Sequence, residues 1–573
     1  MSTGKPSPMN RRRLLVLISG LVFGVTVIVG RLVYFQVLKH DELRSEVDEQ
    51  RTREKEQTPS RGYIADVTGH ILALDVIEWD ISVSPTLVFD RAELADSLSE
   101  LLGLPRAEVS ATLTSEEPWI QIATGVDYET GEAIASLQAE GLMCEPHAQR
   151  FYPEGGLMAH VLGFVNSTGT GFYGVEGYYN QLLKGNDGQL RVEQNAAGKE
   201  LPIPPLGEIP SQAGTSLILT LDRNVQFIAG QELQSALETY GAESGTVVIV
   251  EPQTGAILAA VSYPTYDPND FAHADPQLQS DPVVSKMWEP GSIFKIITWA
   301  AGLDSGTVSP GMTFYDEGTL EIGGRVIYNS DRQAHGLVTM ADGLVQSLNT
   351  VAAYASTSMG NESFYTYLRR FGFGKLTAVD LDSEGPGMMK QPGDPDWFPS
   401  DLGTNSFGQG IAVTPMQMIV AVSAVANQGT LMKPHIVSGY VAKEEAGSRM
   451  VPIEPMVVRK AISQEAAATL TDLLVRVVEE GVVHAQVPGY RIAGKTGTAQ
   501  IPTAYGYEPD DTIASFVGYA PADDPQFIVL VKLDRPTAST WGSQTAAPTF
   551  KSIAERLFAY MQIPPDEIRL AQR

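Results

Sequence analysis

At 573 residues, with 43% hydrophobic and 19% charged residues, the chain is long enough for two or three cores and too apolar to be disordered. The net charge of −28 argues against a nucleic-acid-binding surface, which would need a basic stripe. The single cysteine, Cys144, excludes an intramolecular disulfide and reads as a small core residue. Eight histidines without HExxH or paired C-x-x-C spacing point to neither a metal nor a cofactor.

Arg11, Arg12 and Arg13 precede an uncharged apolar run over residues 14–30, and the apolar character resumes after Arg31 as far as Leu38. A bilayer core needs about 20 apolar residues. Residues 14–38 supply them if Arg31 snorkels to the interface beside Tyr34. No small-x-small cleavage site follows, so an uncleaved single-pass anchor is expected, with residues 1–13 as a cytoplasmic tail and the rest extracytoplasmic. Residues 39–60, "DELRSEVDEQRTREKEQ" at their centre, are too charged to pack a core and read as a stalk, a solvated helix or linker.

Over residues 61–211, alternating stretches such as "WDISVSP" and helical ones such as "DRAELADSLSELLG" suggest an irregular α+β module. The proline-rich "LPIPPLGEIPSQAGTS" marks a boundary. Residues 216–562 then form a second domain, followed by a tail at 563–573. It opens with a helix over residues 222–240 and two strands in "GTVVIVEPQTGAILAAVSYP". It closes with two more strands in "ASFVGYAPADDPQFIVLVKLD" and a helix over residues 548–561. Strands at both ends predict one antiparallel sheet assembled from both termini of the domain, covered by helices, with a mostly helical insertion between. "MQMIVAVSAVA" is too short to cross a membrane and reads as a core helix.

Three short stretches carry chemistry. "SIFK" places Ser292 and Lys295 three residues apart at a helix start, so a hydroxyl and an amine share one face. Burial favours the neutral amine, which can take the hydroxyl proton. "SLN" offers Ser347 to pass a proton and Asn349 to bind an amide, extended or on a tight loop. "KTGT", Lys495 to Thr498, brings a cation, two hydroxyls and a glycine that admits a ligand to the backbone, which suits a strand edge receiving a peptide that ends in a carboxylate. Residues 489–496, "GYRIAGKT", also satisfy the phosphate-loop pattern, but that loop must open a helix and "GTAQIPTAYGYEP" does not supply one.

In this order "SIFK", "SLN" and "KTGT" resemble the signatures of the penicillin-binding transpeptidases and serine β-lactamases. "RGYIADVTGHILA", "RFYPEGGLMAHVLGFV" and "GVEGYYNQLLKGNDG" are similar to pedestal (dimerisation-type) motifs of the monofunctional class B penicillin-binding proteins, and "LILTLDRNVQ", "SFGQGIAVTPMQM" and "ASFVGYAPA" to their transpeptidase segments. One departure is Val67, where the pedestal motif usually has an arginine, so a local salt bridge of the family is in question. Arg61 and Glu176 read as pedestal-packing groups, and Glu289 to Gly291 as residues that shape the turn before Ser292.

The resemblance implies an α+β chain of anchor, pedestal and transpeptidase domain that cross-links peptidoglycan without polymerising glycan. Ser292 would attack the penultimate carbonyl of a stem peptide ending in D-alanyl-D-alanine, with Lys295 as base, Ser347 relaying the proton and Asn349 holding the substrate amide. Lys495 would support the proton network, and Thr496, Gly497 and Thr498 would bind the terminal carboxylate region. The backbone N–H groups of Ser292 and Thr498 would form the oxyanion hole. β-Lactam antibiotics would enter as mimics of the dipeptide. A SEDS-family glycan polymerase and other divisome or elongasome membrane proteins are the implied partners. A septal role is expected; a D,D-carboxypeptidase, an elongation-specific enzyme and a non-catalytic scaffold are the alternatives.

Overall fold

The computed structural model describes residues 8–193, 207–444, 447–503 and 506–572. By compactness the chain divides into two units, one of residues 1–59 with 185–213 and one of residues 60–184 with 214–573. The first begins with the helix Pro8–Val33, continued by a π-turn over Tyr34–Leu38. Among the described residues, Arg11–Leu38 is the one segment long and apolar enough to cross a membrane, with mean hydropathy 2.3. The charged stretch after it forms the helix His40–Arg51, as a solvated helix was expected to, but then a strand, Thr52–Gln57. That strand pairs antiparallel with Gly188–Glu193, which pairs in turn with Gly207–Ile209. Glu54 faces Arg191 across the ladder at 3.0 Å, and Arg51 reaches Glu193 at 2.8 Å. Cross-strand charge pairs thus let a segment with no core of its own hold a register.

In the second unit the long strand Ile71–Val83 is the spine of the pedestal, flanked by Ile120–Val126 and Leu142–Phe151. Its alternate residues Ile81 and Val83 pack against Leu94 and Leu98 of the helix Arg91–Leu102, which Asp90 caps through the Glu93 amide at 3.0 Å. Cys144 is half-buried at the margin of this cluster rather than inside it. The strand Ser216–Leu219 pairs on one side with Ile64–Ala65 and on the other with Val437–Glu444, so one sheet joins pedestal strands to later ones. At the family's usual arginine position Val67 is half exposed, and the neighbouring Asp66 accepts instead from the amides of Thr68, His70 and Arg223 at 2.9, 2.8 and 3.1 Å.

A cluster of charged side chains is buried in the pedestal. Glu176 is inaccessible to solvent and receives Arg61 Nε at 2.8 Å and Arg150 Nε at 2.7 Å, while Arg150 also reaches Asp75 at 3.0 Å. Arg61 and Glu176 are thus packing groups that neutralise each other. Arg150, the member that the sequence did not single out, lies between both carboxylates.

The second sheet is antiparallel and five-stranded, in the order Ile257–Tyr263, Ser244–Val250, Phe527–Asp534, Gly506–Ala520, Ala493–Thr503. It is built from both ends of its domain, as the sequence predicts. The helices Arg223–Tyr240 and Ala546–Tyr560 cover it, and the first is capped by Asp222 through the amides of Asn224 and Val225. Pro415–Ala426 is buried along its whole length, a core helix. Ala493–Thr503 is an edge strand, with a partner on one side only. That leaves its other side open beside the helical insertion.

Candidate active site

The serine motif lies where the helical insertion meets the sheet. Ser292 sits in a 3-10 turn, Gly291–Phe294, that runs straight into the α-helix Lys295–Asp304. In a 3-10 turn residues i and i+3 eclipse, so Ser292 and Lys295 point the same way more closely than in an α-helix. Lys295 to Gly302 are all buried, because Ile296, Ile297, Trp299 and Ala300 fill the core around them. Gly291 enters the turn at φ +57°, and a side chain there would also press on Ala499 and on the Thr498 carbonyl, each at 3.1 Å. The serine turn and the edge strand therefore touch backbone to backbone.

The "SLN" motif is a tight loop, the second of its two expected forms. Ser347 has φ +58° between the helices Met340–Val345 and Asn349–Phe371, a left-handed bend that turns its carbonyl and hydroxyl toward the lysine. Lys295 Nζ donates to Ser347 O at 2.5 Å and to Asn349 Oδ1 at 2.8 Å, and lies 3.2 Å from Ser347 Oγ. Lys495 Nζ approaches the same Ser347 Oγ at 3.0 Å and the Thr496 carbonyl at 3.3 Å. One hydroxyl thus bridges two amines.

Those amines are 0% and 1% exposed. Burial pulls the Lys295 ammonium well below the usual lysine range, and the charge of Lys495 adds to it. Burial brings Lys495 down to about 7. Neutral Lys295 has two N–H groups, and the Ser347 carbonyl and the Asn349 amide oxygen are two obligate acceptors for them. Its lone pair is then left for a hydroxyl proton. Among the described residues no hydrogen bond links Lys295 Nζ directly to Ser292 Oγ. The half-buried Ser292 lines a cleft of about 470 Å³ together with Asn349 and Thr498.

Thr496, Gly497 and Thr498 run along the edge strand, in register with Phe516, Ser515 and Ala514. A side chain at Gly497 would meet Ser515 Oγ at 2.4 Å and the Pro290 carbonyl at 3.0 Å, so only glycine lets the strand lie this close to the serine turn. Thr498 lines the cleft, and its Oγ1 accepts from the Gly542 amide at 3.1 Å, which leaves the hydroxyl hydrogen available to donate. Ser292 lies in the first turn of its helix, where an amide has no preceding helical carbonyl to bind. No helix follows the "GKT" stretch, which is strand throughout, and the phosphate-loop pattern lacks its structural context.

Several supports of the site carry no motif. Glu289 does more than shape the turn: its carboxylate accepts from the Gly410 amide at 2.9 Å and from Tyr507 OH at 3.0 Å, tying the hairpin next to the edge strand to the loop beneath Ser292. Burial raises the Glu289 carboxyl. Asn349 Nδ2 donates to the Tyr328 carbonyl at 2.9 Å, which fixes which way its amide faces. Behind it Asp316, Asn329 and Thr350 form a buried hydrogen-bonded set, with Thr350 Oγ1 on Asp316 at 2.8 Å and Asn329 Nδ2 on Asp316 at 2.8 Å. Nothing local in "SFGQG" tells that Gly408 lies against the serine turn, where Gly291 N donates to Gly408 O at 3.2 Å.

Residues 245–555 match the family model of the penicillin-binding protein transpeptidase domain, and residues 56–219 that of the penicillin-binding protein dimerisation domain. The chain is 32% identical to stage V sporulation protein D of Bacillus subtilis, over 98% of this chain and 88% of that one. It is 30% identical to the probable peptidoglycan D,D-transpeptidase PbpC of Pseudomonas aeruginosa, over 97% and 96% of the two. Among solved structures, penicillin-binding protein 3 of Mycobacterium tuberculosis complexed with ampicillin superposes with a TM-score of 0.69 at 26% identity, covering 89% of this chain and 97% of the other.

Proposed function

Since the chain belongs to the class B penicillin-binding proteins, the serine-type peptidoglycan D,D-transpeptidases, we propose that its three motifs act as one acyl-transfer site on stem peptides ending in D-alanyl-D-alanine. The observation that carries this reading is the chain of contacts from Lys295 through Ser347 to Lys495, buried beside Ser292 and next to an open strand edge. Ser292 Oγ attacks the penultimate carbonyl and its proton passes to neutral Lys295. The oxyanion lies between the amides of Ser292 and Thr498, donors typically worth about 3 kcal/mol each. Asn349 holds the substrate amide, Lys495 supports the proton network through Ser347, and Thr496 and Thr498 hold the terminal carboxylate, with Gly497 admitting it to the strand. As the tetrahedral adduct collapses, the C–N bond breaks and D-alanine leaves with a proton delivered through Ser347. An amine of a second stem then attacks the ester carbonyl, frees Ser292 and completes the cross-link.

A β-lactam reaches the same serine because its strained amide presents a carbonyl and a carboxylate in a similar relation. Labelling the full chain in detergent with a fluorescent penicillin, followed by peptide mapping, is expected to place the label on Ser292 and to lose it in Ser292→Ala. A folded, unlabelled wild type would overturn the acyl-enzyme reading in favour of a non-catalytic scaffold.

The same reading takes the helix Arg11–Leu38 as a single-pass anchor with its arginine triplet in the cytoplasm, and a SEDS-family glycan polymerase as membrane partner. It assigns the cross-linking to septal wall synthesis, supported by a pedestal that begins soon after the anchor and a transpeptidase domain without long insertions. Filaments on depletion are expected; rounded cells would assign the protein to elongation instead.

A further inference from the structure

The cleft wall that carries Asn349 holds two guanidiniums for which the steps above have no use. Arg325 and Arg332 both line the cleft shared by Ser292 and Thr498, in a chain whose net charge is −28. Among the described residues neither is within ion-pair distance of a carboxylate, although Arg325 is near enough to Glu289 to offset part of the rise that burial imposes on that carboxyl. Solvated surface arginines would look the same in isolation, but this wall is held in place. Arg332 stacks its guanidinium over the Tyr328 ring at 4.3 Å. Its neighbour Asp331 is turned away, onto His335 at 2.9 Å and the Gln333 amide at 3.0 Å. The strand Arg325–Tyr328 ends on the carbonyl that receives Asn349 Nδ2, and the next residue, Asn329, is locked to Asp316 and Thr350. The strand and turn that carry the two cations are therefore tied to the Asn349 amide, and Arg332 is further held by the Tyr328 ring, while the Arg325 side chain is exposed at the cleft rim.

We propose that Arg325 and Arg332 form a specificity subsite for a free carboxylate on the donor stem upstream of the scissile bond, so that the preferred substrates are acidic stem peptides. The inference rests on the acyl-transfer reading above. The terminal carboxylate already has partners on the edge strand, so the anion met by this second wall belongs to an earlier residue of the same stem. A guanidinium pairs with a carboxylate through two parallel N–H···O bonds, which gives direction as well as attraction. Two residues offer that chemistry: the α-carboxylate of a second residue linked through its γ-carboxyl, and the side-chain carboxylate of a diamino-dicarboxylic third residue.

The test uses the full chain in detergent and donor pentapeptides with both carboxylates free, with only the second-residue carboxyl amidated, or with only the third-residue carboxyl amidated. Release of D-alanine gives kcat/KM for each. The free peptide is expected to exceed one of the amidated peptides about tenfold, and which one identifies the carboxylate that is read. In Arg325→Gln/Arg332→Gln the ratio should collapse toward one, and Arg325→Lys should restore part of it. Equal rates for all three donors, with penicillin still labelling Ser292, would overturn the subsite alone; so would a preference that survives in the double variant. Absence of both labelling and D-alanine release in the wild type would overturn the acyl-transfer reading, and the subsite with it.

Discussion

The pedestal and the catalytic cleft both bury charged side chains, and they treat them in opposite ways. In the pedestal, Arg61 and Arg150 close on Glu176 and Asp75, opposite charges at 2.7 to 3.0 Å. Burial by itself would pull the Arg150 guanidinium down, but Glu176, with Tyr152 and Asp75 adding to it, outweighs burial and raises it. In the cleft, Lys295 and Lys495 meet only neutral oxygens and each other, and both are pulled down. The sign of the partner decides whether a buried charge serves architecture or chemistry. An arginine cannot give up its proton and suits the first use, whereas a desolvated lysine becomes a base.

The largest expected effect breaks the cleft side of this contrast. Lys295→Met keeps the buried stem without the amine, and acylation by penicillin should fall by at least about 10³-fold. Its denaturation midpoint should fall less than that of the pedestal variant, because no charge is left unpaired. In the pedestal the consequence is reversed. Glu176→Ala takes the carboxylate from Arg61 and leaves Arg150 with Asp75 alone, and should cost about 3–5 kcal/mol of stability in denaturant titration, while whatever fraction stays folded still takes the label.

Two smaller effects sharpen the comparison. Gly497→Ala drives a methyl into Ser515 Oγ and should cost about 1–3 kcal/mol in transition-state stabilisation or fold. Adding Ser515→Ala removes the nearest clash and should restore part of the labelling rate, a coupling that separate sites would not show. The last test is pH. Lys495 is a cation below about 7 and neutral above it, so the proton it can pass through Ser347 to the leaving amine is lost as pH rises through that value. kcat/KM for acylation should therefore fall on the alkaline side, and Lys495→Ala should lose that limb along with most of the activity. A profile flat from pH 6 to 9 would mean that Lys495 does not change charge where burial places it.

Local spacing alone determined the apolar N-terminal helix, the hairpins at both ends of the second sheet, the buried helix Pro415–Ala426 and the shared helix face of Ser292 and Lys295, because each is a property of chain geometry over a few residues. The three motifs, in order, implied the family and its α+β fold. What only the tertiary structure decided lies between residues far apart in sequence. Lys495 and Ser347 are separated by 148 positions, Arg61 and Glu176 by 115, and Gly542 reaches Thr498 across 44. The strand Thr52–Gln57 looks like a linker until Gly188–Glu193 offers it a partner. A side chain's charge state, an edge strand's open side and the groups within an arginine's reach all depend on what surrounds them in space. No periodicity along the chain records that.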